Sequence, residues 1–170
     1  SITLNESLFS YIDDSLLLRS IKQGNNKVIE MLLNCPDLNI DYGLFAAAIE
    51  YFVDFKSLNL FLESPKFKML SEINGFMFSA LSTAVQTNNF FAFDLIFKKA
   101  PIIDSDEFAE LFFEALSYDK IMMIERIAKL WLKLNDEDNY ENLIEDMEYY
   151  MPKHLLIKLE KMFPKLESSS

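Results

Sequence analysis

Apolar residues recur along this chain in paired stripes of helical spacing. In LLLRSIKQGNNKVIEMLLN, residues 16–34, Leu17, Leu18 and Ile21 form one stripe and Val28, Ile29, Leu32 and Leu33 form another. These are the intervals that one face of an α-helix needs. The segment ALSTAVQTNNFFAFDLIFK, residues 80–98, repeats the layout, with Gln86 to Asn89 answering Gln23 to Asn26 at the polar joint. A shift of 63 residues carries the first stripe onto Ala80, Leu81 and Ala84 and the second onto Phe91, Ala92, Leu95 and Ile96. A shift of 95 gives Phe112, Phe113 and Leu116, then Met123, Ile124, Ile127 and Ala128. Another copy fits in two parts: Phe45, Ala46 and Ile49 at a shift of 28, but Leu58, Phe61 and Leu62 at 29. One extra residue in its inter-helix turn is therefore expected.

A recurrence of about 32 residues is the mark of stacked two-helix units, each too small to bury its apolar face alone. The pattern predicts an all-α fold, an α-solenoid of about four helix pairs with N- and C-terminal capping helices, forming one domain over residues 1–166. The units fall at about 15–43, 44–75, 76–107 and 108–139, with a C-terminal cap at 140–166. Helix stops are expected at Asn34-Cys35-Pro36-Asp37, Ser64-Pro65, Asn74-Gly75, Ala100-Pro101 and Asn135-Asp136, whose residues break or cap helices. Ile2 to Ile12 reads as a lead-in helix, and Tyr140 to Phe163 as one or two closing helices interrupted near Pro152. A βαβ reading, with Leu38 to Tyr42 as a short strand, lacks the sustained period-two alternation it needs. Ser1 and Leu166 to Ser170 are read as additions to the natural chain, with 167–170 a tail outside the domain.

Composition narrows the function more than the fold. The chain has 170 residues, 51% of them hydrophobic, and only three glycines against sixteen Phe, seven Tyr and one Trp. Few glycines speak against an all-β fold with many tight turns, and the rings supply packing and contact surface. Sixteen basic and 27 acidic residues leave a net charge of −11, a field that repels a nucleic-acid backbone. One cysteine, Cys35, and one histidine, His154, cannot form an internal disulfide or a Cys/His zinc cluster. That usage suits a reducing, cytoplasmic compartment. No apolar run is long enough to span a bilayer, and no secretory leader is legible at the start.

Residues 16–41 resemble an ankyrin repeat. The likeness runs through Ile21-Lys22-Gln23-Gly24, then Val28-Ile29 and Leu32-Leu33, into the outgoing Asp37-Leu38-Asn39-Ile40. The other three units resemble the family by period and helix pattern. The Thr-Pro-Leu-His start of the family is replaced by Ser15-Leu16-Leu17-Leu18 and its counterparts. The joint glycine is present only as Gly24, with Phe52, Thr87 and Asp119 in its place elsewhere, which predicts irregular hairpin loops or splayed repeats. The chain is thus similar to a divergent ankyrin array. Its richness in Asn, Ile, Lys and Phe resembles that of divergent repeats in protists, large viruses and host-manipulating bacteria. The resemblance implies binding through the concave face and the inter-repeat loops, here near Asp41, Tyr42, Asn74, Phe76, Asp106 and Glu107.

No catalytic, cofactor or metal site is expected. The sequence has no phosphate loop, nucleophile elbow or metal-ligand spacing, and Asp104-Ser105-Asp106 lacks the pattern of a calcium loop. Two surface features stand out. Asp136, Glu137 and Asp138, followed by Glu141, Glu145, Asp146 and Glu148, form a negative run beside Tyr140, Tyr149 and Tyr150, able to steer a basic partner. Acids at a helix start also simply complement the helix dipole. Tyr51, Phe52 and Phe55 cluster at the irregular second turn, and Phe90 and Phe91 occupy the comparable place in the third unit. The expected function is a non-enzymatic module that binds a partner protein bearing a basic surface. The alternatives are an accessory targeting domain of a longer enzymatic or host-manipulating effector, in which case the host cytosol is the site of action, and a helical domain enclosing an apolar ligand.

Overall fold

The computed structural model describes residues 16–52, 54–73, 75–99, 104–135 and 140–162. The lead-in segment at 2–12, the loop at Ala100-Pro101 and the tail at 167–170 lie outside these. Among the described residues every regular element is a helix and none is a strand. Residues 16–22 form α1, followed by α2 (Asn26–Leu33), α3 (Tyr42–Tyr51), α4 (Phe55–Leu62), α5 (Pro65–Ser71), α6 (Phe76–Gln86) and α7 (Phe90–Lys99). Then come α8 (Ser105–Ser117), α9 (Ile121–Asn135), α10 (Tyr140–Glu148) and α11 (Lys153–Glu160). Leu38 to Asp41 is irregular and Tyr42 opens α3, so no strand forms there.

The chain groups into two compact units, Ser1–Lys99 and Ala100–Ser170. In the first, the second helices of successive pairs pack in series, α2 on α4 and α4 on α7, while α3 packs on α6. A cluster of rings fills the space between. Phe45 lies 4.9 Å from Phe76 and 5.8 Å from both Phe61 and Phe67, centroid to centroid, at tilted or edge-on angles that suit ring quadrupoles. Among the described residues Phe45, Phe61, Phe67, Phe76, Phe93, Phe108 and Phe112 are buried. In the second unit α8 packs on α9, and α10 and α11 close over them, around Phe112, Leu116, Ile124, Ile127, Leu143 and Leu159. Asp146 serves two elements at once: its Oδ2 accepts from Ser105 Oγ at 2.7 Å and from Trp131 Nε1 at 3.2 Å.

Three of the joints share one backbone design. At the first, Gly24 N donates to Ile21 O and Asn25 N to Ser20 O, with Gly24 at φ 64°. The same two bonds recur from Asn88 and Asn89 to Val85 and Ala84, and from Asp119 and Lys120 to Leu116 and Ala115. Asn88 and Asp119 have φ of 56° and 52°. This left-handed helix end satisfies carbonyls that would otherwise be orphaned, and Asn and Asp tolerate it far better than branched residues. Loss of glycine has therefore not made these two loops irregular. The match also moves the third unit by one residue, because the turn equates Asn25 with Asn89 and puts Asn88, rather than Thr87, at the apex.

The second joint differs. Phe52 stays extended at φ −62°, and Phe52 N donates to Ala48 O. Ile49 O, the counterpart of Ile21 O, accepts instead from Asn89 Nδ2 of the next pair at 2.8 Å. Asp54 caps α4 through Ser57 N, one position later than the alignment of α3 with α1 would put it. That is where the extra residue sits.

One helix was not expected. Ser64-Pro65 reads as a stop, yet Ser64 Oγ accepts from Phe67 N and Pro65 begins α5. Serine at the cap with proline in the first turn is also a helix start. Lys66 on α5 donates to Pro36 O and Leu38 O, tying down the loop whose Leu38 and Ile40 are buried.

Candidate functional site

The residues marked out by the sequence sort into core, cap and surface. Phe76 is only 5% exposed and Tyr140 only 8%, so both belong to the cores of their units and are unavailable for contact. Asp41 is exposed but caps α3, accepting from Leu44 N at 2.8 Å. Phe52 is half-buried against Phe61, 5.4 Å between centroids. Asn74 and Asp136, Glu137 and Asp138 lie outside the described residues. Tyr42 is partly exposed, with its hydroxyl 2.9 Å from Thr83 Oγ1 and donating to Ser79 O. Two exposed apolar residues that sequence reasoning missed are Met69 in α5 and Ile73 just after it. Their signal was hidden because Ser64-Pro65 read as a helix stop and no further helix was expected before Asn74-Gly75.

The joint edge of the first unit holds the more exposed rings. Phe55 is 55% exposed and Phe91 62%, at the first and second positions of α4 and α7. Tyr51 is half-buried, its face covered by Lys22 Nζ at 3.7 Å from the centroid. In the second unit Ile121 and Met122, the first two residues of α9, are exposed apolar side chains at the comparable place. The remaining apolar residues of these helices are mostly buried, as in Leu58, Phe61, Phe93, Ile96, Ile124 and Ile127.

In the second unit the acids gather around a pair of tyrosines. Tyr149 is 86% exposed and stands edge-on to Tyr150 at 5.0 Å. Partial burial pushes the Tyr150 phenol up, and Asp106 and Asp146 push it further. Negative charge there disfavours a phenolate. Glu107, in the first turn of α8, is likewise held above the usual carboxylate range, mainly by burial and then by the Asp104 carboxylate. The surface around Tyr150 is thus locally negative, which favours the approach of a cation.

Among the described residues no group of three His, Cys, Asp or Glu side chains is placed to hold a metal ion, and no helix is long and apolar enough to cross a membrane. No protein-family model matches the chain, no curated protein matches it, and no solved structure matches it.

Proposed function

We propose that this chain is a non-enzymatic protein-binding module, an array of four divergent ankyrin-like helix pairs followed by a closing pair, α10 and α11. The observation that carries the reading is the recurrence, within each unit, of large exposed apolar residues at the start of a second helix. Phe55, Phe91, Ile121 and Met122 all stand in the first two positions of a second helix, whereas the first pair has Asn26 and Lys27 there. Polar residues at that register evidently suffice for folding. Leaving a phenylalanine or isoleucine in water forgoes roughly 1.5–3 kcal/mol of burial, and a repeated exposure of this kind marks a contact surface. Tyr42 and Phe55 in the first unit and, separately, Asp106 and Glu107 in the second remain proposed contact residues, while Phe76 and Tyr140 belong to the cores of their units.

The test is quantitative affinity capture with the chain as bait, followed by reconstitution with the purified protein that it retains. The reading expects saturable binding of a protein, and at least a tenfold weaker Kd for a variant with polar residues at the exposed joint positions, the loss of about 1.4 kcal/mol that one good anchor supplies. Retention of only a small molecule, or catalytic turnover by the purified chain, would refute it.

A further inference from the structure

We propose that the end of α10 in the second unit docks a basic segment of a partner protein, with an arginine seated against Tyr149. This rests on the protein-binding reading above and adds a surface within the second unit, together with the chemistry recognised there.

One carboxylate gathers three helix ends there. Asp146 Oδ2, in the last turn of α10, accepts from Ser105 Oγ, the first residue of α8, at 2.7 Å and from Trp131 Nε1, near the end of α9, at 3.2 Å. Tyr149 and Tyr150 follow α10 directly, edge-on to each other at 5.0 Å, and Tyr149 is the most exposed of the large apolar side chains. At pH 7, with His154 neutral, this end carries the acids Asp104, Asp106, Glu107, Glu145, Asp146 and Glu148, against Lys133 in the last turn of α9 and Lys153 at the start of α11. Asp106, Asp146 and Asp104, together with the Tyr149 phenol, push the Tyr150 phenol up, and no cation opposes them.

Folding accounts for some of these acids but not for all. Asp104 caps α8, and Asp106 and Glu107 stand in its first turn, where negative charge complements the helix dipole. Asp146 holds Ser105 and Trp131. Glu145 and Glu148 lie instead in the last turn of α10, which has no basic residue, at the end of the dipole that disfavours anions. Both are exposed, and among the described residues neither is in an ion pair. Charge kept where local electrostatics disfavours it is a mark of a functional site. The helical turn continues past them, for Met151 N donates to Met147 O at 2.9 Å, so Glu145, Glu148 and Tyr149, spaced i, i+3 and i+4, share one side. Arginine suits that side, because its guanidinium donates to carboxylates and stacks on an exposed aromatic ring. A nucleic acid or an anionic bilayer is repelled by the same charge.

The experiment selects a phage-displayed library of random short peptides on the whole chain, then measures a labelled synthetic copy of the best binder by fluorescence anisotropy. Expected are net-positive peptides that contain arginine. Their Kd should rise about tenfold in Tyr149→Ser and several-fold in Glu145→Gln/Glu148→Gln, and replacing the peptide's arginines by lysine should also weaken binding. Glu145→Gln/Glu148→Gln should unfold at a higher urea concentration than the wild type, since the dipole no longer opposes these side chains; a lower midpoint would overturn the argument that the acids are kept for a partner. Basic peptides weakened as much by Glu30→Gln/Glu50→Gln in the first unit would show only a general attraction to the negative chain, and would overturn the site. Peptides lost in Phe55→Ser/Phe91→Ser but indifferent to the second-unit variants would overturn this surface and leave the protein-binding reading intact. Spermine bound as tightly as the peptides, and lost in the same variants, would overturn the peptide occupant. Failure to select any peptide would count against both.

Discussion

Asn88 and Asp119 show how single residues other than glycine hold the apex of a joint. Each takes a positive φ at the apex of a joint, where the short polar side chain keeps the cost low. Asn88→Gly should leave stability unchanged or raise it slightly, whereas Asn88→Val should cost about 1–2 kcal/mol, read as a lower urea midpoint. A neutral valine would contradict the shared joint. The apex was hidden in the sequence because Gln86-Thr87-Asn88-Asn89 aligns by identity with Gln23 to Asn26, and that alignment puts Thr87 there. Backbone hydrogen bonds, rather than residue identities, set the register.

Glu107 offers a test of the crowded acids on α8. Its carboxyl is raised above 4.5, by burial first and then by Asp104 and Glu110, so the folded state holds the proton more tightly than the unfolded chain does. The resulting stability is full below the unfolded pKa and is lost as pH rises through the folded one. Glu107→Gln should therefore raise the urea midpoint at pH 7, and the gain should vanish when both are measured below about pH 4, near the unfolded carboxylate value. An unchanged midpoint at pH 7 would mean that the acids do not strain one another.

Among the elements, the pairs α1 with α2 and α8 with α9 were legible because their apolar stripes are dense, although only the first has a glycine at its joint. α5 was not, since Ser-Pro carries equal information about a stop and a start. Which face of a helix would be buried was only partly legible. Phe76 and Tyr140 read as contact residues, but each is the first residue of its helix and turns inward, whereas Phe55, in the same position on α4, turns outward. Periodicity determines a stripe only once several turns are in hand, and a first-turn residue lies at its margin. Caps decide more than stripes at such places. The end of α8 is an example: Lys158 of α11 donates to Leu116 O at 2.7 Å and to Asp119 Oδ1 at 2.6 Å, placing a cation at a helix C-terminus. Lys158→Met should lower the stability of the chain by about 1 kcal/mol, measured by urea unfolding, and a full-strength effect in 1 M salt would contradict an electrostatic origin.

For the whole molecule, the all-helical class followed from the period, the absence of strand alternation and the scarcity of glycine. The grouping into two compact units, Ser1–Lys99 and Ala100–Ser170, was not foreseen, because a continuous period carries no sign of where contacts thin out. The two exposed features differ in character. The joint edge of the first unit exposes the rings of Phe55 and Phe91, while the second unit gathers Asp104, Asp106 and Asp146 around Tyr150. In the sequence the acidic run drew attention and predicted a basic partner, whereas Phe55 and Phe91 stand on separate helices, α4 and α7, that come together only when the pairs pack. The central claim is that the chain works by binding a protein through exposed joints. Hydrogen–deuterium exchange of the whole chain, alone and saturated with the reconstituted partner, tests it most directly. The account predicts new protection of amides around Phe55 and Phe91, with the buried cores unchanged; binding that protects neither joint would contradict it.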